Sequence, residues 1–249
     1  MTDRKTVAVT GGDGGIARIL RGRLSDRWTA RWLSRSEADV TELDRLEQAF
    51  AGAAAVVHLA AASDVDSEWD EVLPANIVGT YNVFEAARRT GVERVVFASS
   101  NHAVGMYQHD DGRFADPEHP IEVSVDAPER PDSLYGASKV WGEALGRLYA
   151  ERHGVEVVCL RIGWVLDEDG PPPPAEPGDE PRDVARRAPG MWLSHRDCAS
   201  LFEAALTADV RFAIVNGVGD NVGRWLTLDE GRRLLGWEPR DGVGRDAIR

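Results

Sequence analysis

Short apolar segments alternate along this chain with longer segments in which apolar side chains recur every three or four positions. The short runs predict strands, and the periodic runs predict helices. In chain order, the predicted elements are strand Val7–Thr10, strand Arg27–Leu33, helix Thr41–Gly52, strand Ala55–Leu59, helix Asn76–Thr90, strand Arg94–Ala98, helix Tyr135–His153 and strand Val155–Arg161. This order predicts an α/β fold, a parallel sheet with helices on both faces.

A glycine-rich turn joins the first predicted strand to an amphipathic segment. Val7–Thr10 leads directly into Gly11, and Gly14 and Ala17 follow at the spacing of a dinucleotide-binding turn. The glycines permit a tight turn and a close approach of the backbone to a pyrophosphate, whose charge the N–H groups of the helix start would meet. A turn that needs glycine only for its shape is the alternative. The strand-to-helix context favours a Rossmann-type, doubly wound NAD(P)-binding domain.

A tyrosine and a lysine four residues apart open the last predicted helix. Tyr135 and Lys139 would share one helix face, and Lys5 and Lys139 are the only lysines in the chain. A free phenol has a pKa near ~10. A nearby ammonium lowers that value, so a paired tyrosine can take a proton from a hydroxyl group. The same pattern also occurs by chance on surface helices.

The residues after the second predicted strand bear on the choice between NAD and NADP. An acidic residue there would bind the adenosine 2′-hydroxyl of NAD, but Ser34, Arg35 and Ser36 occupy these positions. Arg35 would pair with the 2′-phosphate of NADP, which favours NADP over NAD. Arg35 stacked on the adenine, or facing solvent, is the alternative. Asp39 and Val40 would lie beside the adenine.

Composition and charge narrow the classes of function. The chain has 249 residues, 43% of them hydrophobic, and no apolar run reaches the roughly 18 residues of a membrane span. We therefore expect a soluble cytoplasmic protein without a secretion signal. The net charge of -13 opposes binding to nucleic acid or anionic membranes, so neither is expected as a partner. Whether the acidity reflects a high-salt habitat stays open, because a GC-rich genome also explains arginine in place of lysine.

The cysteines and histidines show no metal-binding pattern. Cys159 and Cys198 lack a CxxC or metal spacing and are expected as structural free thiols. His58, His102 and His195 fall in separate predicted elements, without carboxylates or cysteines at ligand spacing. The sequence therefore predicts structural hydrogen bonding for these histidines and no metal site.

Several motifs resemble one family, the extended short-chain dehydrogenases/reductases that include NAD-dependent epimerases and dehydratases. The resemblance covers nearly the whole chain and includes the cofactor turn Thr10-Gly11-x-x-Gly14-x-x-Ala17, Ser100, Tyr135-x-x-x-Lys139 and the helix residue Asn76. Within the family, the blocks at 99–105, 161–163 and 192–197 are similar to uronate dehydrogenases and haloarchaeal NAD-dependent glucose-6-phosphate dehydrogenases.

This resemblance implies oxidation of a cyclic sugar at its anomeric carbon, which gives a lactone and a reduced nicotinamide. Tyr135 would take the hydroxyl proton, and Ser100 would hold the oxygen by a hydrogen bond. Lys139 would bind the nicotinamide ribose and lower the pKa of Tyr135. Ser63 and Asn101 would orient the sugar hydroxyls, although small polar residues at strand ends also serve turn geometry.

The implied contacts gather at the carboxyl ends of the strands, where ligands bind in folds of this kind. The expected cofactor contacts are Gly11, Gly14, Gly15, Ile16, Ser34, Arg35, Asp39, Val40, Leu59, Ala60, Ala61, Asn76, Tyr135, Lys139 and Ile162. The expected substrate contacts are Ser63, Asn101, His102, Trp164 and Arg187.

The prediction of an anionic or a neutral sugar substrate depends on the role of Arg187. It stands five residues before Trp192, as does the arginine that binds the sugar carboxylate in uronate dehydrogenases. A guanidinium suits a carboxylate or a phosphate, so a hexuronate is the first expectation, and a hexose 6-phosphate or a neutral aldose is the alternative. Arg182 and Arg186 would add a phosphate subsite. Solvated arginines on an acidic loop are the competing interpretation for all three.

Two departures weaken the match to uronate dehydrogenases. Trp164 stands where those enzymes have a serine that contacts substrate, so a hydrogen bond is replaced by an aromatic face. The proline-rich segment 170–179 is expected as a mobile surface loop, with a lid as the alternative.

The chain is expected to form a single NAD(P)-binding domain over 1–249, with a small C-terminal substrate-binding portion mainly in 164–249. An epimerase or dehydratase acting on a nucleotide sugar would need a larger portion after Cys198 than this chain has. A non-catalytic dinucleotide sensor would tend to lose Tyr135 or Lys139. Assembly of identical copies through two long helices is a further expectation by analogy.

Overall fold

The computed structural model describes residues 4–109, 121–172 and 188–244. Within them, one sheet of parallel strands has the order β2-β1-β3-β4-β5-β6. The strands are β1 Lys5–Thr10, β2 Trp28–Leu33, β3 Ala55–His58, β4 Arg94–Ser100, β5 Glu156–Ile162 and β6 Phe212–Gly217. β2 and β3 pair with opposite edges of β1, so the order of the strands switches direction there. A crevice forms at such a switch point, at the carboxyl ends of the strands.

Helices cover both faces of the sheet. They are α1 Gly15–Leu20, α2 Leu43–Phe50, α3 Trp69–Val72, α4 Gly79–Thr90, α5 Leu134–His153 and α6 His195–Thr207. A π-helical segment, Leu73–Val78, joins α3 to α4 without a break, and a second π-helical turn covers Gly231–Leu235. Short 3₁₀ segments cover Asn101–His109 and Ala188–Met191.

Alternate residues of each strand enter two hydrophobic cores, one on each face. In β1, Val7 and Val9 pack in the core that contains residues of α1 and α6, whereas Ala8 packs in the core that contains residues of α2, α4 and α5. In β4, Val96 and Phe97 divide in the same way. Both faces are buried, which is why the central strands are continuous apolar runs in the sequence.

The predicted α/β fold with a doubly wound parallel sheet is confirmed. Every predicted strand forms, with ends that differ from the prediction by at most two residues. The helix predicted from Asn76 begins earlier, at Trp69, because the chain passes Pro74 in the π-helical segment instead of ending the helix there. β6 and α6 are not among the predicted elements.

The C-terminal part of the chain belongs to the main sheet. β6 and α6 fall within 164–249, the segment expected to bind substrate, and they complete the sheet and one of its cores. Val165 is the one described residue of that segment that lines the cleft discussed below. The assignment of substrate binding mainly to 164–249 stays a prediction.

The two cysteines match the expectation for structural thiols. Cys159 and Cys198 are buried and form no disulfide, and burial raises the pKa of both thiols.

Across the part of the chain that the structure describes, each helix is too short or too polar to cross a bilayer.

Candidate active site at the carboxyl ends of the strands

A cleft of about 730 Å³ follows the carboxyl ends of the central strands. A cavity of this size suits a small-molecule ligand or cofactor. Its walls include the glycine turn after β1, the loop after β3, the end of β4 and the first turns of α5. The predicted site residues that line it are Gly11, Gly14, Gly15, Ile16, Arg35, Asp39, Val40, Leu59, Ala60, Ala61, Ser63, Ser100, Tyr135, Lys139 and Ile162.

The glycine turn lies tightly against the loop after β3. Gly11 has a φ of 68°, and a Cβ at this position would lie 2.7 Å from the backbone N of Ala60, so a larger residue would push the two loops apart. At Gly15, the nearest atom to an added Cβ is 3.8 Å away. The turn is therefore closed toward the protein at Gly11 and open at Gly15. This arrangement fits a dinucleotide pyrophosphate against the backbone.

The other end of the cleft is shaped by the loop after β2. Arg35 Nε donates to Asp39 Oδ2 at 3.0 Å, and the backbone N–H and hydroxyl of Thr41 donate to Asp39 Oδ1. The Thr41 bonds lower the pKa of Asp39 more than the Arg35 contact does. Asp39 and Val40 line the cleft with Arg35, whereas Ser34 does not. The expected contact of Asp39 and Val40 with adenine stays a prediction.

The three predicted catalytic residues meet on one wall. Ser133 caps α5 by accepting a hydrogen bond from Gly136 N, which places Tyr135 in the first helical turn and Lys139 in the next. Lys139 Nζ donates to the carbonyl O of Ala98 at 2.8 Å and lies 5.3 Å from the centroid of the Tyr135 ring. Ser100, at the end of β4, lines the same wall.

The charges around Tyr135 favour the neutral phenol. Burial raises the pKa of Tyr135, a hydrogen bond with Ser100 lowers it, and the carboxylate of Asp132 raises it further, with a net rise above 10. The net shift of the Tyr135 pKa is therefore opposite in direction to the lowering expected from Lys139. Burial also weakens the ammonium, because it lowers the pKa of Lys139 to about 8.

A buried ion pair lies one helical turn beyond Lys139. Glu143 accepts from Ser99 Oγ at 2.6 Å, and from Nε and Nη2 of Arg161 at 2.9 and 2.8 Å. The charge of Glu143 raises the pKa of Lys139 and partly opposes the effect of burial. Among the described residues, Arg161 Nη1 is buried without a hydrogen-bond partner. The carboxylate of Glu143 thus stabilises the charged forms of both Lys139 and Arg161.

His102 and Asp132 form a second polar pair, beside Tyr135. His102 Nδ1 lies 2.8 Å from Asp132 Oδ2, and the same oxygen accepts from Gln108 Nε2 at 3.2 Å. The His102 ring packs edge-on to the Tyr135 ring, with centroids 5.9 Å apart. The carboxylate fixes the ring orientation and leaves Nε2 without a hydrogen bond from any described residue. His102 itself does not line the cleft.

The side chain of Asn76 stabilises the site through three hydrogen bonds. Its Oδ1 accepts from Ala62 N at 2.7 Å, and its Nδ2 donates to Ala62 O and Ser138 Oγ, both at 2.9 Å. These bonds tie the loop after β3 to α5 and use the whole amide group. Asn76 does not line the cleft, so the structure shows a positioning role for it, and the expected cofactor contact stays a prediction.

Besides His102, two expected substrate contacts do not line the cleft, and a third lies outside the described residues. Asn101 is buried beside Ser100 and Trp164 pairs with the backbone of Trp192, and neither lines the cleft. Arg187 lies outside the described residues, as do Arg182, Arg186 and the proline-rich segment beyond residue 172. The contacts expected of these residues stay predictions.

His58 and His195 form structural hydrogen bonds, as predicted. His58 lies between the hydroxyls of Thr10 and Thr80, at 2.8 and 3.1 Å, and burial lowers its pKa to about 3. His195 Nε2 donates to the carbonyl O of Leu166 at 2.7 Å. Over the described ranges, no group of three or more histidine, cysteine, aspartate or glutamate side chains is placed to hold a metal ion.

Several carboxylates around the site are not among the predicted site residues. Glu143 follows Lys139 by four residues, so helical spacing alone could have placed both on one face of α5. Asp132 directly precedes the Ser133 cap, but its pairing with His102 needs the tertiary fold. Asp70 and Glu71 also line the cleft, and no motif distinguishes them in the sequence.

The sequence profile of the NAD dependent epimerase/dehydratase family matches residues 7–174. This chain belongs to that family. It is 41% identical over 252 aligned residues to an L-arabinose 1-dehydrogenase (NAD(P)(+)) of Haloferax volcanii, covering 94% of this chain and 96% of the relative. It is 38% identical over 255 residues to an NAD-dependent glucose-6-phosphate dehydrogenase of the same organism, covering 94% and 93%.

A solved structure agrees with these relatives. The uronate dehydrogenase from Agrobacterium tumefaciens, crystallised as a mutant with NAD, superposes with a TM-score of 0.79 at 32% identity, covering 97% of this chain and 86% of that one. The expected similarity to uronate dehydrogenases and to a haloarchaeal glucose-6-phosphate dehydrogenase is confirmed.

Proposed function

We propose that this protein is an NAD(P)-dependent dehydrogenase that oxidises a monosaccharide at C1 to a lactone. The observation that carries the proposal is the meeting of Ser100, Tyr135 and Lys139 on one wall of the cleft that the glycine turn also lines. Sugar dehydrogenases among the relatives support the same reaction.

The residues of the cleft divide between cofactor and substrate. The turn at Gly11–Gly15, the pair Arg35 and Asp39, and Lys139 would hold the dinucleotide. When bound, an oxidised nicotinamide would supply the hydride acceptor and a positive charge. That charge opposes the raised pKa of Tyr135, whose phenolate takes the C1 hydroxyl proton, while Ser100 holds the same oxygen by a hydrogen bond.

A hexuronate remains the first candidate substrate, and this choice requires that Arg187 binds the sugar carboxylate. A neutral aldose is the second candidate, and the described lining of the cleft favours it. There, the cations are Arg35 and Lys139, whereas Asp13, Asp39, Asp70 and Glu71 supply negative charge. Without an arginine from the segment that contains Arg187, this lining would repel a carboxylate or phosphate on the sugar.

Initial rates of nicotinamide reduction test the proposal. The panel contains glucuronate, galacturonate, glucose 6-phosphate, L-arabinose and glucose, each with NAD and with NADP. We expect turnover of at least one sugar and a lactone product. Nucleotide binding without oxidation of any sugar in the panel would contradict the proposed reaction.

The Arg187→Ala variant separates the two substrate candidates. If a uronate is the substrate, the variant should raise its KM by about tenfold or more, the order of one lost charged hydrogen bond. If a neutral aldose is the substrate, its rate should be nearly unchanged. Arg233→Ala, an exposed arginine on the C-terminal π-helical turn, is the matched control.

A further inference from the structure

We infer that Glu37 acts as the specificity residue that discriminates against the 2′-phosphate of NADP. This inference rests on the proposed dinucleotide binding and extends it to the choice of cofactor. The sequence has no acidic residue directly after β2, which predicts NADP. The fold supplies a carboxylate to this place from three residues further along the chain.

The end of β2 lies against the glycine turn. Gly12 N donates to the carbonyl O of Leu33 at 2.9 Å, and Ser34 follows directly. Arg35 and Asp39, which flank Glu37 in the same loop, line the cleft, whereas Glu37 itself is exposed beside it and is not part of the lining. In Rossmann-type folds, this junction of the turn and the second strand is where the adenosine ribose is recognised.

Glu37 folds back onto the first residue after β2. Its Oε2 accepts from Ser34 N at 2.8 Å and from Ser34 Oγ at 2.6 Å. These two bonds lower the pKa of Glu37, so the group is an anion at neutral pH. Its Oε1 accepts no hydrogen bond from any described residue, which leaves one carboxylate oxygen available to a ribose hydroxyl.

The Ser34 donors that a 2′-phosphate could use are therefore already occupied, whereas the Arg35 side chain is 90% exposed and only its Nε is paired. Ser34 N–H and Oγ–H point to the Glu37 carboxylate, and Arg35 Nε points to Asp39 Oδ2 at 3.0 Å. A 2′-phosphate would have to displace Glu37 or lie beside its charge. A 2′-hydroxyl, by contrast, can donate to Oε1. The loop thus favours NAD, against the preference predicted from Arg35 alone.

Binding measurements on Glu37→Gln test this directly. Dissociation constants for NAD and NADP are measured by calorimetry on the wild type, on Glu37→Gln and on the control Glu42→Gln, which removes an exposed carboxylate five residues away. We expect the wild type to bind NAD more tightly. Glu37→Gln should move the NADP to NAD affinity ratio toward NADP by about tenfold, the order of one partly screened charge repulsion, while Glu42→Gln should not move it.

A rescue variant sharpens the test. Adding Arg35→Asp to Glu37→Gln places a carboxylate where related dinucleotide sites carry it, and should restore the preference for NAD. An unchanged ratio in Glu37→Gln, with both nucleotides still binding, would overturn the inference and leave the proposed function intact. Failure of the wild type to bind either nucleotide would overturn both.

Discussion

At the scale of single residues, the site combines a neutral phenol with a weakened ammonium. Tyr135 has a raised pKa and Lys139 a lowered one, and burial is the main cause of both shifts. Each residue therefore favours its uncharged form more than it would in water. A base at Tyr135 needs additional positive charge in the cleft, which links proton removal to the bound, oxidised form of the cofactor.

Removing the phenolic oxygen tests the role of Tyr135. We expect Tyr135→Phe to abolish sugar oxidation, because the variant keeps the ring but cannot accept the C1 proton. NAD affinity should change by less than about threefold, since Lys139 and the glycine turn remain. Rates and calorimetry measure the two effects separately. Retained turnover would contradict a base at this position, and Tyr81→Phe, on the exposed side of α4, serves as the control.

Asp132 is expected to act through His102. Asp132→Asn replaces the carboxylate that holds His102 Nδ1 at 2.8 Å with an amide that can present an N–H to the same nitrogen. We expect kcat/KM for the sugar to fall by on the order of tenfold, as misplacement in a site does, with unchanged NAD affinity. His102→Ala combined with Asp132→Asn should cost no more than His102→Ala alone. Full additivity of the two losses would rule out action through the imidazole.

Predictions for single residues succeeded where the residues that interact belong to one sequence motif. Tyr135 and Lys139 are one helical turn apart, so the sequence places them together. Their pKa values depend on burial and on Asp132 and Glu143, which the motif does not include. The loop after β2 shows the same limit, since Ser34 and Arg35 are visible in the sequence but the return of Glu37 onto Ser34 is a property of the folded loop.

At the scale of elements, the helical repeat of α5 places three side chains of the site on one face. Tyr135, Lys139 and Glu143 recur every four residues, so phenol, ammonium and carboxylate follow one another along one face. Glu143 is held by Arg161 from β5 and Ser99 from β4. The helix is thereby tied to the two strands whose ends form the site, and a charge change at Glu143 should reach Lys139 directly.

Because the chain has only two lysines, the effect of Glu143 on the pKa of Lys139 can be measured. With ¹³C-labelled lysine, the chain should give two Cε resonances, from Lys5 and Lys139, and Lys5→Arg assigns them. We expect Lys139 to titrate near pH 8, so that its ammonium is present below that pH and lost above it. Glu143→Gln should move the midpoint to lower pH, because it removes the charge that favours the ammonium. A midpoint at the ordinary 10.5 would show that Lys139 is solvated.

Element-scale prediction succeeded for strands buried on both faces and failed beyond β5. The run Phe212–Gly217 is short and mostly apolar, as a strand should be, but it is not among the predicted strands. The early start at Trp69 was hidden by Pro74, which normally ends a helix. The π-helical segment passes Pro74 and places Asn76 where it braces the loop after β3.

At the scale of the whole molecule, two neighbouring helical stretches present an apolar surface to solvent. Leu134, Trp141 and Leu148 recur every seven residues along α5 and are 44%, 40% and 48% exposed. Trp69 and Tyr81 on α3 and α4 are 53% and 44% exposed. A seven-residue repeat on exposed helices is the pattern of a helix-to-helix seam. This surface supports the expected assembly of identical copies.

We expect the protein to form a dimer through this surface, and the net charge of -13 sets its salt dependence. Two acidic copies repel, and salt screens that repulsion while leaving apolar contact intact. The dimer fraction from light scattering should therefore rise with salt at fixed protein concentration. Trp141→Glu should give a monomer at all salt concentrations because it places a carboxylate in the centre of the seam. Val65→Glu, on the exposed loop after β3, should leave the dimer intact, and a Trp141→Glu variant that still dimerises would show that the copies meet elsewhere.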